Sequence, residues 1–401
     1  MKTLRLILVW FFIIVFLMSF FGAVKESFAM NVNDSINNFA FNTAKIIRNS
    51  SEEYFFSPYS ILSAFGMAYA GAEGNTAREI EEALGFNSAT HSELGEYIRD
   101  IEVEDAFSSA NRVWLRDGLK LKDSYKENLL VNYNSSAEEL NFKSDTENSR
   151  KKINQWVSDK TNSKIPELLK ELEPATQMVL TNAVYFNSGW ESKFNKKATS
   201  KEDFFPGGCM VTKVDMMKKR GSFLYAERDG NKIIRIPYKG GRFSMVVFLP
   251  PKIAGYNGTL ESDAKFIELD AEIFSEMLKA MREYEVDLWL PKFKTEKRYE
   301  LKDIFNSLGI NLAFSNFADF SGITDDEKLK IDAVIHQTFI DVDEEKTEAA
   351  AATAVVMVKA TAMPPMEKLK AEFHADRPFL YFIVDDYTNT ILFAGRQTFG
   401  K

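Results

Sequence analysis

Residues 343–358, DEEKTEAAAATAVVMV, place no large apolar side chain ahead of Val355 in a chain that carries 34 phenylalanines. The run lies between a strand ending near Val342 and the next strand at about Phe373, a gap of about thirty residues, longer than a compact domain leaves without structure of its own. Either an element is hidden there or the loop is the working part. An exposed helix is one reading, because alanine is the best helix former and Glu344, Glu345 and Glu348 suit a helix start. Against it, Thr353, Val355, Val356 and Val358 are β-branched and no apolar stripe of helical period crosses the alanines. At period two, Thr347, Ala349, Ala351, Thr353, Val355 and Met357 line one face, with Glu348, Ala350, Ala352, Ala354, Val356 and Val358 on the other. A strand of such small side chains fits a space already nearly closed.

The elements around the run come in mixed order. From Ile36 to Ile47, Ile36, Phe39, Ala40, Ala44 and Ile47 recur at helical spacing. In FFSPYSILSAFGMAYAGA (55–72), Ser57 is placed to cap a helix and Pro58 suits its first position. Thr76 and Glu79 read as a capping box for a short helix that Gly85 can end. Strands then dominate: AFSSANRVWL (106–115), TQMVLTNAVYF (176–186), IIRIPY (233–238) joined through Gly240-Gly241 to FSMVVFLP (243–250), and VDLWLP (286–291). YELKDIFNSLG (299–309) predicts another helix and DAVIHQTFIDVD (332–343) a long strand. FLYFIVDD (379–386) and ILFAGRQ (391–397) form a strand pair around Thr388-Asn389. Helices and strands neither alternate nor separate into halves, so the fold class is α+β with large, mostly antiparallel sheets.

With 401 residues, 45% hydrophobic and 27% charged, the chain has ample core, and without a linker or internal period residues 30–401 read as one domain. Residues 1–29 stand apart. Lys2 and Arg5 precede the apolar run from Leu6 to Val24, and Ser27-Phe28-Ala29 offers small residues where a signal peptidase reads. The segment predicts a signal peptide and a secreted product, extracellular or periplasmic. An uncleaved N-terminal membrane anchor is the alternative, since the run is long enough to span a bilayer. Its removal takes away Lys2, Arg5, Lys25 and Glu26, a net +2, so the charge moves from −8 to −10. That balance argues against nucleic acid as a partner, and Arg150-Lys151-Lys152 and Lys218-Lys219-Arg220 read as solvated faces. The sole cysteine, Cys209, cannot close an internal disulfide.

An enzyme is the first class to test. The chain has three histidines, His91, His336 and His374, and lacks a G-x-S-x-G elbow, an H-E-x-x-H helix, a P-loop and a dinucleotide fingerprint. One cysteine excludes zinc sites built on cysteine pairs. His336 lies in an apolar strand, where a lone histidine reads as a hydrogen-bonded core residue.

The segment from Val342 to Thr353 resembles the reactive-loop hinge of the serpins, the serine protease inhibitors. FHADRPFLYFI (373–383) is similar to the family's C-terminal signature, and FSPYSI, LTNAVYFNSGW and AVIHQTF resemble the segments around its central sheet. The resemblance covers about residues 31–400. It implies a serpin fold with three β-sheets, about eight or nine helices and an exposed reactive-centre loop, about 345–366. It implies an inhibitor without a catalytic group, cofactor or metal, acting as a monomer on serine endopeptidases. The protease cuts the loop, which inserts into the central sheet and traps the acyl-enzyme.

The same resemblance assigns residues. The hinge is Glu344, Glu345, Lys346, Thr347, Glu348, Ala349, Ala350, Ala351 and Ala352. Ser57, Ser60, Asn182 and His336 match the polar cluster beneath the strands that open. Trp190, Lys292 and Glu344 match the region of first insertion. Family spacing puts the reactive bond at Ala360-Thr361, suited to an elastase-like or subtilisin-like protease; Lys359-Ala360 would suit a trypsin-like one. Where the family commonly has glycine before Thr347, this chain has Lys346. A non-inhibitory serpin, a carrier or cleaved substrate, is therefore the alternative, and an exported hydrolase a remote one.

Overall fold

The computed structural model describes residues 31–48, 53–101, 106–207, 210–252, 269–347 and 369–400. The expected signal, Cys209, the hinge from Glu348 to Ala352 and the bonds at Lys359-Ala360-Thr361 lie outside the described residues. Asn31–Lys401 forms one compact unit. Among the described residues there are eight α-helices: α1 (Val32–Arg48), α2 (Pro58–Tyr69), α3 (Gly74–Leu84), α4 (Thr90–Ile101), α5 (Asp123–Tyr133), α6 (Thr146–Lys160), α7 (Ala271–Ala280) and α8 (Lys302–Ser307). None of the described helices is long and apolar enough to cross a membrane.

α2 is the pivot of the architecture. Ser57, in extended backbone, accepts the Ser60 N–H at 3.1 Å, a cap contributing about 1 kcal/mol, and Pro58 takes the first position, where no N–H is needed. All twelve of its residues are buried, as a helix apolar on every side must be. It packs against strands of both sheets.

One sheet has the order β1 (Tyr54–Phe56), β16 (Thr390–Gln397), β15 (Phe379–Asp385), β9 (Phe243–Leu249), β8 (Asn231–Pro237), β7 (Met210–Arg228), β10 (Arg282–Pro291), β14 (Leu369–His374), with β6 (Ser200–Gly207) also on β7. The other runs β3 (Ala137–Leu140), β2 (Phe107–Arg116), β4 (Met178–Phe186), β12 (Ala333–Val342), β13 (Lys346–Thr347), β5 (Ser188–Gly189), with β11 (Phe293–Glu300) also on β12. Among the described residues the three expected sheets thus count as two hydrogen-bonded networks. The 19-residue β7 is the reason: its first part pairs with β6 and β10 and its last part with β8, joining two sub-sheets. Most pairings are antiparallel; β4 with β12, β2 with β3 and β10 with β14 are parallel.

Two local expectations change. α3 begins at Gly74, ahead of Thr76, and its N-cap residue Glu73 makes no side-chain cap bond. The supposed capping box is used elsewhere: Thr76 Oγ1 accepts the Asp319 N–H at 2.9 Å and Glu79 accepts the N–H groups of Asn311 and Leu312 at 2.8 Å. These bonds fasten α3 to the 311–319 segment. Tyr299 and Glu300 belong to β11, because the ladder with β12 continues to Glu300↔Ile335; only Lys302–Ser307 is helical.

The β4/β12 seam has an inner and an outer face. His336 and Thr338 point inward to the α2 start and β1, where Thr338 Oγ1 donates to Phe55 O at 2.7 Å. Outward, Val179, Ala183 and Ile335 join one buried cluster with Ile153 and Val157 of α6 and with Ile165, Leu168 and Leu169.

Candidate functional site

The site is the seam itself, with a polar cluster beneath it and a chain turn at its upper end. Beneath it, Ser57 N–H donates to His336 Nε2 at 2.9 Å, which leaves the proton on Nδ1, bonded to Asn182 Oδ1. Asn182 Nδ2 donates to Ser60 O at 2.7 Å and reaches Ser60 Oγ and Asn111 Oδ1. Ser57 Oγ donates to Leu392 O at 2.6 Å. The structure therefore brings Ser57, Ser60, Asn182 and His336 together, all fully buried. Two of them, Asn182 and His336, are ladder partners across the seam. Bonds of this kind must break if β4 and β12 part.

Burial pushes the His336 imidazole down to about 3 and the His91 imidazole down to about 4, from 6.5. A neutral buried histidine stabilises the fold fully above pH 6.5, and that contribution is lost as pH falls from 6.5 toward the folded value. The expected loss is about 1.4 kcal/mol per pH unit for each histidine inside its window. Urea midpoints measured from pH 7 to pH 5 should fall, and a His336→Gln variant should show a shallower slope. An equal slope would count against the cluster as the acid-sensitive element.

At the upper end the chain leaves β12 at Val342, turns through Asp343, Glu344 and Glu345, and returns as β13. Each carbonyl of the turn has a donor: Trp190 Nε1 to Asp343 O at 2.8 Å, Phe194 N–H to Glu344 O at 2.9 Å and Trp190 N–H to Glu345 O at 3.3 Å. The Trp190 indole is held by stacking on Tyr238 at 4.6 Å. Glu344 is 4% exposed and accepts from Lys292 Nζ and Thr199 Oγ1, both at 2.8 Å. Burial alone would raise its carboxyl, but the bonds from Lys292 and Thr199 outweigh it and hold the group below the usual range. Lys196 pairs with Glu345 at 2.9 Å.

β13 is antiparallel to strands on both sides. Thr347 faces Val342 of β12 and Ser188 of β5, and Lys346 faces Gly189. Since β5 follows β4 after a single residue, Asn187, these two residues enter the top of the gap between β4 and β12.

Of the expected residues, Glu344, Lys292 and Trp190 meet at the turn, and Glu345, Lys346 and Thr347 continue it. Asn111, Thr199 and Tyr238 were not foreseen. Asn111, the ladder partner of Asn182 on β2, had a visible signal: an amide inside an otherwise strand-like run. Thr199 and Tyr238 had none, being brought in by tertiary folding.

A parallel seam with a polar cluster below and an entering strand above, inside an α+β fold of this topology, defines the serpin class. The family model described as Serpin (serine protease inhibitor) matches residues 34–398, and the chain belongs to that family. An uncharacterized serpin-like protein of Thermococcus kodakarensis is 36% identical over 385 residues, 94% of this chain and 88% of that protein. Serpin B3 of Homo sapiens is 36% identical over 394 residues, 91% of this chain and 98% of that protein. The crystal structure of uncleaved ovalbumin matches with a TM-score of 0.81 at 26% identity, covering 92% of this chain and 100% of that one.

Proposed function

We propose that the protein is exported and inhibits serine endopeptidases as a suicide substrate, its cut loop entering the β4/β12 seam as a new central strand. The observation that carries this reading is the register of β13. Continuing Thr347↔Val342 and Thr347↔Ser188 downward sets Ala349 between Ile340 and Phe186, Ala351 between Thr338 and Val184, and Thr353 between His336 and Asn182. The last two, Thr338/Val184 and His336/Asn182, are pairs that already share a level across the seam. Thr347, Ala349, Ala351 and Thr353 then fall on the inner face, on the side of α2 and the polar cluster. The even positions, Ala350, Ala352 and Ala354, fall on the outer face beneath α6.

The protease supplies the nucleophile and the inhibitor supplies none. The acyl-enzyme survives only if insertion outruns deacylation. We place the cut at Ala360-Thr361, for an elastase-like or subtilisin-like pocket, with Lys359-Ala360 for a trypsin-like one. Lys346 in the hinge favours one other reading, a serpin that is cleaved without trapping. A panel of the three protease types separates them. Trapping predicts a covalent complex that survives boiling in detergent, with a new N-terminus at Thr361 or Ala360. A nicked chain alone, with every protease, overturns inhibition.

A further inference from the structure

We propose that Tyr185 and Phe339 form a lock on the outer face of the seam, with Lys164 as its clasp, and that this lock sets the rate at which β4 and β12 part; the proposal rests on the insertion reading above. The two residues are ladder partners in the parallel β4/β12 pairing and lie at the end of it nearest the turn. Their rings are 6.5 Å apart, and they are 4% and 7% exposed. Lys164, from the stretch that follows α6, holds its ammonium 6.0 Å from the Tyr185 ring and 5.8 Å from the Phe339 ring, so one cation bridges both strands. Lys294 of β11 adds a second cation 4.9 Å from the Phe339 ring alone.

The geometry separates this group from the polar cluster below. His336 and Asn182 are buried hydrogen-bonding groups of the inner face, whereas Tyr185, Phe339 and Lys164 act on the outer face by ring contact and cation–π attraction. Admitting one strand moves β4 and β12 from one ladder spacing to two, an extra distance of about 4.8 Å. Rings in contact at 6.5 Å then lie beyond the range of about 4.5–7 Å in which aromatic pairs attract. Lys164 cannot remain over both. Once the strand is in place, Ala350 occupies the level between the two rings, and both can cover its methyl group. The lock therefore opposes opening and leaves the filled sheet unpenalised, which makes it a kinetic element and separates it from general packing.

The test uses the full mature chain and a synthetic peptide, TEAAAATAVVMV, matching residues 347–358. Peptide uptake is followed as the appearance of a more heat-resistant species. Phe339→Leu keeps apolar volume and removes the ring; Lys164→Gln removes the cation and leaves the core intact. Each should accelerate uptake by about threefold to tenfold. The double variant should gain little beyond the better single variant, because both remove the same contact. The melting temperature of the peptide-filled form should stay unchanged. Uptake by wild type with both single variants within about twofold of it, or with effects that multiply in the double variant, overturns the lock alone. No uptake by wild type, together with no covalent protease complex, overturns the lock and the inhibitory reading together.

Discussion

A single cut in the loop raises the melting temperature of the protein by about 10–30 °C. A dozen inserted residues bond to strands on both sides, while the seven-pair β4/β12 ladder is given up. The net gain is on the order of a dozen hydrogen bonds at about 0.5–1.5 kcal/mol each. That is comparable with the whole stability of an ordinary domain, about 5–15 kcal/mol, and a domain of this size gains about 2 °C per kcal/mol. In the proposed mechanism the uncut fold is thus the less stable arrangement of its own residues. Calorimetry of the intact and the nicked chain measures this directly. Equal melting temperatures would remove the driving force for trapping.

If the protein traps proteases as proposed, Thr347→Arg lowers the yield of covalent complex at least about 100-fold while the loop is still cut at the same bond. Position 347 pairs with Val342, 1% exposed, and Ser188, 6% exposed, so in the inserted strand it falls on the face turned to the core. A guanidinium there has no counter-charge and resists burial. An arginine there disturbs the first rung from which insertion would continue, and hydrolysis of the acyl-enzyme runs ahead. Band intensities of complex and nicked chain on a denaturing gel give the ratio. Undiminished complex formation by the variant would exclude this register.

The small side chains at period two state a requirement of their own, a strand position with close neighbours on both faces, but from Glu348 onward they lie outside the described residues. The two strands of the seam were readable, since β4 and β12 are apolar runs bounded by polar residues. β7 was harder. Its Lys218-Lys219-Arg220 reads as a solvated face, and in the structure it lies within the longest strand, with Lys218 paired to Glu202 and Arg220 to Glu285. Those partners are supplied by β6 and β10, so local pattern alone could not place them. α6 was missed for a related reason. TENSRKKINQWVSDK buries only Ser149, Ile153, Asn154 and Val157, and so narrow a stripe on a polar helix becomes clear only against the sheet it covers. The polar cluster was assigned through the family resemblance, and Asn111, outside the matched motifs, was left out of it.

The paired state of Lys346 and Thr347 before any cut has a bearing on fidelity. A slip of one residue would exchange the two faces of an incoming strand and turn Glu348 inward. With the first rung already seated between β12 and β5, a strand inserted as proposed would inherit its alignment the way a zip follows a slider. On the proposed mechanism the choice of frame is made during folding, and only speed would be left to be decided when a protease arrives.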